Sequence, residues 1–218
     1  RIDIYMTNYG LIDADHQPES YVDARDGRPN VLLRNLGDGR FEDATEAAGL
    51  VPNRERWSYA AAWADYDVDG DVDLYVANDY ATNSLYRNRG DGTFEEVAAE
   101  AGALDGGNGM GVSWADVDGD LRLDLYISNM QSFAGNRITR LENFPGTAEQ
   151  RALYRRFSKG NTLLRNRGDG GFEDITEQSG AKPAFWAWGN VPLDYDADGD
   201  LDLLVCGGFY TGLQAKDT

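Results

Sequence analysis

The sequence predicts an all-β fold, a β-propeller of four-stranded antiparallel blades, and two alternating sequence blocks carry this prediction. The first block, residues 63–78, recurs at 114–129. The second block, residues 83–95, recurs at 30–42 and 161–173. Equivalent positions in the first two copies of the second block lie 53 residues apart. A tandem unit of this length, holding several short strands, is typical of propeller blades.

Each unit contains four short segments rich in Tyr, Val, Leu, Ile and Phe, with turn residues between them, so we expect four strands per unit. In the second unit these segments are 58–64, 74–78, 84–88 and 93–98. A Gly-Asp-Gly tripeptide joins the last two strands of three units, at 37–39, 90–92 and 168–170. Glycine accepts the positive φ of a tight hairpin, so we interpret these tripeptides as turns and not as phosphate-binding loops.

The repeats divide the chain into four unequal units, which hold about three and a half blades. We expect an incomplete blade at 1–56 with a polar insertion at 9–29, a blade at 57–107, a blade at 108–185 with a basic, partly helical insertion at 130–160, and an incomplete blade at 186–218. A closed ring needs about four blades or more. The chain is therefore expected to be part of a larger propeller, whose other blades come from missing chain or from another polypeptide.

Three nine-residue loops carry aspartates at positions 1, 3, 5 and 9. Alternate residues direct the first three side chains into one concavity, and four such close carboxylates repel one another unless a cation neutralises them. Position 7 would add its backbone carbonyl. The predicted metal ligands are Asp65, Asp67, Asp69, Asp73 and the carbonyl of Asp71; Asp116, Asp118, Asp120, Asp124 and the carbonyl of Arg122; and Asp194, Asp196, Asp198, Asp202 and the carbonyl of Asp200.

Calcium is the ion that these donors favour, with about three sites in the chain. All the donors are oxygens, and calcium accepts flexible oxygen coordination, whereas magnesium requires stricter octahedral geometry. The loops contain no His or Cys, which argues against zinc and copper. The middle loop departs from the pattern, with Gly119 at position 4, Leu121 at position 6 and Arg122 at position 7. We expect it to be the weakest of the three sites.

The composition excludes several classes of function. Lys and Arg number 20 against 38 Asp and Glu, a net charge of −18, so nucleic acid is not an expected partner. No apolar run approaches the roughly 18 residues of a membrane span, so we expect no membrane insertion. His16 is the only histidine and lies in a polar segment, so we predict no enzymatic activity. The only cysteine, Cys206, lies in an apolar run and is expected to be buried.

The insertion at 130–160 is basic, in contrast to the rest of the chain. Five arginines and a lysine face only two glutamates within it, and Ala148–Phe157 has helix-forming composition. Two interpretations stay open. The insertion packs against its own acidic blades, or it forms a docking surface for a partner.

The aspartate loops, each followed by an Asp-Leu strand, resemble the FG-GAP/VCBS repeats of integrin α-chain propellers. The Asn-x-Leu-Tyr-Arg-Asn-x-Gly-Asp-Gly-x-Phe-Glu block and residues 109–112 are similar to bacterial propellers of the ASPIC/UnbV type, related to cartilage acidic protein. The segments 160–163 and 186–189 are similar to them as well. The resemblance implies calcium at the loop aspartates, an extracytoplasmic location and, typically, seven blades.

The leading hypothesis for function is a structural module that binds a protein or a glycan. The alternative is a carbohydrate-active propeller, a lectin or a polysaccharide lyase, because related propellers include both. Five tryptophans, at positions 57, 63, 114, 186 and 188, are candidates for stacking on sugars. Trp63 and Trp114 recur at one repeat position, which favours a role in the core for these two.

Overall fold

A computed structural model describes residues 1–10, 17–21, 23–183 and 186–208. The side chain of Glu149 lies outside this description, as do His16, part of the polar insertion and the last ten residues of the final unit. The strands are β1 (Ile4–Met6), β2 (Val31–Gly37), β3 (Arg40–Asp43), β4 (Trp57–Ala64), β5 (Asp73–Asp79), β6 (Ser84–Asn88), β7 (Phe94–Glu96), β8 (Gly109–Ala115), β9 (Asp124–Asn129), β10 (Thr162–Asn166), β11 (Phe172–Asp174), β12 (Ala187–Leu193) and β13 (Asp202–Gly207). The helices are α1 (Phe133–Ile138), α2 (Ala148–Phe157) and α3 (Thr176–Ser179).

The strands form four separate antiparallel sheets, in which each strand pairs with its neighbour in sequence. Strands β4 to β7 and β8 to β11 make two four-stranded sheets. Strands β1 to β3 make a three-stranded sheet before them, and β12 pairs with β13 after them. The described sheets do not close into a ring. This open array of four-stranded blades is the all-β, partial propeller that the repeats predict.

The core lies between the sheets, because each sheet has apolar side chains that one layer alone cannot bury. Leu32 and Leu50 of the first unit pack with Leu74 and Tyr86 of the second. A second cluster joins the second and third sheets, and Trp114 packs against its edge. Face-to-face stacking of successive sheets is the packing expected of propeller blades.

The connections between strands lie at two opposite ends of the sheets. Strand β8 contacts β4 and β12, so the first strands of successive units are neighbours. The three aspartate loops follow these first strands and share one end of the array. The connections from β1 to β2, from β5 to β6 and from β9 to β10 lie at the other end, because the strands are antiparallel. The insertions at 9–29 and 130–160 belong to this second end.

Two local expectations have different outcomes in the structure. The helix expected over residues 148–157 is α2, and a capping box between Thr147 and Gln150 fixes its start. The expectation of a buried Cys206 is wrong, since this side chain is exposed. Among the described strands β13 has only β12 as a neighbour, so one side of it lacks a covering strand. No helix among the described residues is long and apolar enough to cross a membrane.

Candidate metal centre

The three aspartate loops each bring the carboxylates of positions 1, 3 and 9 together. One oxygen from each of the three residues lies within 4.8 Å of the others. The loops differ in exposure, since position 9 is buried in the first two and exposed in the third. The three groups are Asp65, Asp67 and Asp73; Asp116, Asp118 and Asp124; and Asp194, Asp196 and Asp202.

Position 1 organises the loop backbone through both of its oxygens. The carboxylate of Asp65 accepts a hydrogen bond from the N–H of Asp69 at 3.1 Å and from that of Gly70 at 3.0 Å. Asp116 and Asp194 accept equivalent bonds from positions 5 and 6 of their loops. These bonds wrap the chain around the first carboxylate, so its position is fixed by the loop itself.

Position 9 ties each loop to the sheet. The carboxylate of Asp73 accepts from the N–H of Tyr66 at 3.1 Å, and from that of Asn88, at the end of β6, at 2.8 Å. Asp124 accepts the same two bonds at 3.1 and 2.8 Å. The first of the two recurs at Asp202. The carboxylate therefore joins the loop to the third strand of its blade as well as facing the candidate ion.

The aspartate at position 3 of the first loop has a carboxylate oxygen without a described hydrogen-bond donor. Oδ1 of Asp67 is buried and accepts no hydrogen bond from any described residue. A buried carboxylate oxygen without a donor is costly in a folded protein. Asp67 is one of the three converging carboxylates, so a cation held by Asp65, Asp67 and Asp73 would compensate the charge of this carboxylate. The donor set of this loop fits a hard cation.

Position 5 lies outside the converging groups, and the ligand role of Asp69, Asp120 and Asp198 stays a prediction. In each loop its Oδ1 accepts from the N–H of position 7, at 2.9 Å, which closes a tight turn. The guanidinium of Arg122 also forms an ion pair with Asp120. The ligand role of the position 7 carbonyls of Asp71, Arg122 and Asp200 stays a prediction.

The displaced glycine of the middle loop does not change its backbone. Positions 4 and 6 have positive φ in all three loops. Glycine occupies position 6 in the first and third loops, whereas Gly119 occupies position 4 in the middle loop, where Leu121 has a φ of 67°. Each loop thus has one glycine and one residue with a side chain in the left-handed region. Only Arg122 remains as a reason to expect weak binding there.

Three of the loop carboxylates are harder to ionise than a free aspartate. Burial raises the pKa of Asp73 to about 6, although backbone N–H groups favour its charged form. Burial and the neighbouring carboxylate of Asp69 raise the pKa of Asp67. Burial also raises the pKa of Asp124. A bound cation would offset this cost, which is the electrostatic reason for expecting one.

The sequence blocks contain a further loop element whose role was not predicted. The N–H groups of Asn88 and Asn166 donate to position 9, and the N–H of Asn35 donates to Asp3 at 2.8 Å. Asp3 therefore has the contact of a position 9 aspartate. The signal was present in the sequence, because these asparagines recur at one position of the second block.

The FG-GAP-like repeat family matches the chain at residues 12–76, 65–127 and 152–205, which is more than half of its length. The chain belongs to this family. Cartilage acidic protein 1 of Homo sapiens is 27% identical over 204 residues, covering 91% of this chain and 27% of that protein. The protein of the same name from Mus musculus is 26% identical, covering 91% of this chain and 28% of its own length. The chain therefore spans about a quarter of the length of these relatives.

The predicted resemblance to FG-GAP repeats and to cartilage acidic protein is confirmed by these matches. Among solved structures, an Agrocybe aegerita lectin, described as recognising non-reducing terminal N-acetylglucosamine, is 17% identical. The alignment covers 85% of this chain and 41% of the lectin with a TM-score of 0.37. At this score the likeness carries no argument about the fold or the ligand.

Proposed function

We propose that this chain is a calcium-binding, extracytoplasmic propeller module that supports protein or glycan interaction and has no catalytic role. The observation that carries the proposal is the convergence of three aspartate carboxylates in each of three equivalent loops. One such group would be weak support, because acidic turns are common on protein surfaces. Three groups at the same position of an FG-GAP-like repeat favour a common function, the binding of one cation by each loop.

Calcium would act as a cross-link within each blade. Position 1 holds the loop backbone and position 9 holds the third strand, so an ion between them would join both. The ligands converge only in the folded chain, and binding would therefore add to the free energy of unfolding. The name of the related cartilage protein supports an extracytoplasmic location. Free calcium there is high enough for sites of modest affinity.

Thermal unfolding with and without chelator tests the calcium proposal. We expect EGTA to lower the Tm, and calcium to restore it better than magnesium does. Asp67→Asn should reduce the number of ions bound in calorimetric titration by one. Asp38→Asn is the matched control, because it removes one exposed carboxylate from a hairpin turn and should leave the ion count unchanged. An unchanged Tm in excess EGTA, with no calcium found by elemental analysis, would refute the proposal.

Glycan binding is the second form of the interaction role, and one pair of side chains favours it. Tyr59 of β4 and Trp188 of β12 are about two-fifths exposed, and their ring centroids are 6.3 Å apart. Two of the other predicted tryptophans are less suited, since Trp57 is buried and Trp114 packs between sheets. Trp63 is partly exposed but contacts Tyr5. Adjacent exposed rings can stack on sugar faces, so we assign a lectin role to this pair as the alternative.

A glycan array, run with and without calcium, tests this alternative. If the pair binds sugar, Tyr59→Ala and Trp188→Ala should each abolish the array signal. Phe41→Ala, which removes a similarly exposed ring from β3, should preserve it. An array without signal, or equal loss in all three variants, would leave protein interaction as the proposed role.

A further inference from the structure

The last two cations of the basic insertion at 130–160 contact its own blade and the blade before it. Nζ of Lys159 lies 2.7 Å from a carboxylate oxygen of Asp174. The guanidinium of Arg156 packs so closely on Gly106 that a Cβ there would lie 2.6 Å from Nη2. Burial raises the pKa of nearby Asp105, and both positive charges oppose this rise. The interpretation that the insertion packs against its own acidic blades therefore describes these two residues.

The other four arginines of the insertion do not form such contacts with the described parts of the blades. Arg137, Arg140 and Arg155 are exposed, and Arg151 is half-buried. None of the four forms an ion pair with a carboxylate that the structure describes. Arg151 donates from Nε to the carbonyl of Gly146, and Arg155 donates from Nε to the carbonyl of Arg151, both at 3.1 Å. Both acceptors are neutral carbonyl groups, so no carboxylate among the described residues balances the positive charge of these arginines.

Within the blades, arginines of the third strands form ion pairs. An arginine on the third strand pairs with a glutamate on the fourth strand in every unit that has both. The nitrogen–oxygen distances are 3.1 Å for Arg34–Glu42, 3.5 Å for Arg87–Glu95 and 2.7 Å for Arg165–Glu173. The four arginines of the insertion lack such a partner among the described residues and lie close together in the sequence, in a chain of net charge −18.

Apolar side chains are exposed beside these arginines. Phe133 is 62% exposed, Ile138 45%, Leu141 51% and Tyr154 44%. Helices α1 and α2 contact each other, so the residues of the two helices lie near one another. We call the surface formed by these four apolar residues and the four arginines the insertion surface. Apolar groups between cations suit a protein partner better than an anionic polysaccharide, which has no apolar side chains to bury there.

We propose that the insertion surface docks an acidic protein segment that carries apolar side chains. The inference rests on the proposed interaction role and gives it a place and a partner chemistry. Charge complementarity would speed the encounter, and burial of the apolar side chains would hold the complex. The insertion joins β9 to β10, at the end of the sheet opposite the aspartate loops. The loop aspartates therefore take no direct part in this contact.

Fluorescence anisotropy with the full chain in calcium tests the proposal. The probe is a fluorescein-labelled dodecapeptide in which glutamate alternates with leucine and phenylalanine. We compare it with a peptide that has serine in place of the apolar residues and with a labelled heparin fragment. The test variant is Arg137→Gln with Arg140→Gln. The matched control is Arg34→Gln with Arg165→Gln, which removes the same charge from two paired blade arginines.

The expected result is saturable binding of the Glu/Leu/Phe peptide, about tenfold weaker for the test variant and within about twofold for the control. The serine peptide should bind less tightly than the Glu/Leu/Phe peptide. Equal weakening in both variants would overturn the proposal, because general charge would then explain binding. Absence of peptide binding would overturn it too, and tighter binding of heparin would assign the surface to a polyanion. Calcium titration of the same samples shows separately whether the calcium proposal stands.

Discussion

The backbone N–H of Asn129, the last residue of β9, donates to Oδ1 of Asn161 at 2.9 Å, across the whole basic insertion. Equivalent bonds join Asn78 to Asn83 at 2.7 Å and Asn8 to Asn30 at 2.8 Å. The segments between the paired residues contain 31, four and 21 residues, respectively. The same bond thus joins the two ends of the connection between the second and third strands, whether that connection is short or long. Since loop-closure entropy grows only slowly with length, a blade with this bond can carry a long insertion.

Asn161→Ala should destabilise the third blade because Asn161 is fully buried. Besides the bond to Asn129, its Nδ2 donates to the hydroxyl of Tyr126 at 2.7 Å. The substitution leaves two buried polar groups without these partners, and we expect the free energy of unfolding to fall by about 1–3 kcal/mol. Urea denaturation in calcium measures the change. Asn143→Ala, an exposed position within the same insertion, should change it by less than about 0.5 kcal/mol. Equal losses would show that Asn161 has no special role.

Sequence patterns predicted the blades because each blade repeats the same local features. Alternating strands, Gly-Asp-Gly hairpins and the capped helix α2 are set by neighbours within a few residues. The pairing of Asn129 with Asn161 could not be deduced in this way, since the partners are 32 residues apart. Burial at Cys206 was mispredicted because an apolar run does not show which strands cover it.

The aspartate loops were predicted in part, for a similar reason. Spacing predicted one concavity for positions 1, 3 and 5, whereas the structure brings positions 1, 3 and 9 together. Spacing did not show that left-handed residues at positions 4 and 6 turn the backbone between them. That turn directs the carboxylates of Asp69, Asp120 and Asp198 to the N–H of position 7, so they lie outside the groups. Val68, Leu121 and Ala197 have positive φ, and these residue types do not predict it.

Leu121→Gly should stabilise the middle loop. Leu121 has a φ of 67° and is 89% exposed, so its side chain adds strain and buries little surface. Removing Cβ relieves roughly 1 kcal/mol of left-handed strain, reduced by the greater entropy of glycine in the unfolded chain. We expect a small increase in the free energy of unfolding. Leu201→Gly is the control, since φ there is not positive and the change should destabilise. A loss at both positions would contradict the strain argument.

Gly119→Ala provides the converse test in the same loop. Gly119 has a φ of 75°, and nothing lies within 4 Å of a Cβ built there. Any cost must therefore come from the backbone conformation and not from a clash. We expect the free energy of unfolding to fall by about 1 kcal/mol in urea denaturation. No change would mean that the loop relaxes into another conformation.

Arg122→Asp should strengthen calcium binding by the middle loop. The guanidinium of Arg122 pairs with Asp120 and places a positive charge beside the candidate ion, where the other loops have Asp71 and Asp200. Replacing this positive charge with a negative one should raise the calcium affinity of one site about tenfold in calorimetric titration. Arg34→Gln removes a paired arginine far from this loop in sequence and should leave all sites unchanged. An unchanged titration of the Arg122 variant would contradict our ranking of the sites.

Asp79 makes the stability of the second blade depend on pH. It is the last residue of β5, its side chain is buried, and its carboxylate accepts from the hydroxyl of Tyr9 at 2.5 Å and from the N–H of Tyr80 at 3.0 Å. Burial raises its pKa to about 6, although both hydrogen bonds favour the charged form. The folded chain therefore keeps a proton at Asp79 over a pH range in which the unfolded chain has released it.

Because the folded state binds more protons between about pH 4 and 6, this carboxyl contributes stability at low pH that is lost as the pH rises through 6. The contribution is on the order of 3 kcal/mol. We expect the free energy of unfolding of the unmodified chain to fall from pH 4 to 7, relative to that of Asp79→Asn, by an amount of this order. Asp38→Asn, at an exposed turn, should follow the unmodified chain at every pH. Parallel curves for the unmodified chain and Asp79→Asn in urea denaturation would show that Asp79 is ionised throughout, held by Tyr9 and Tyr80.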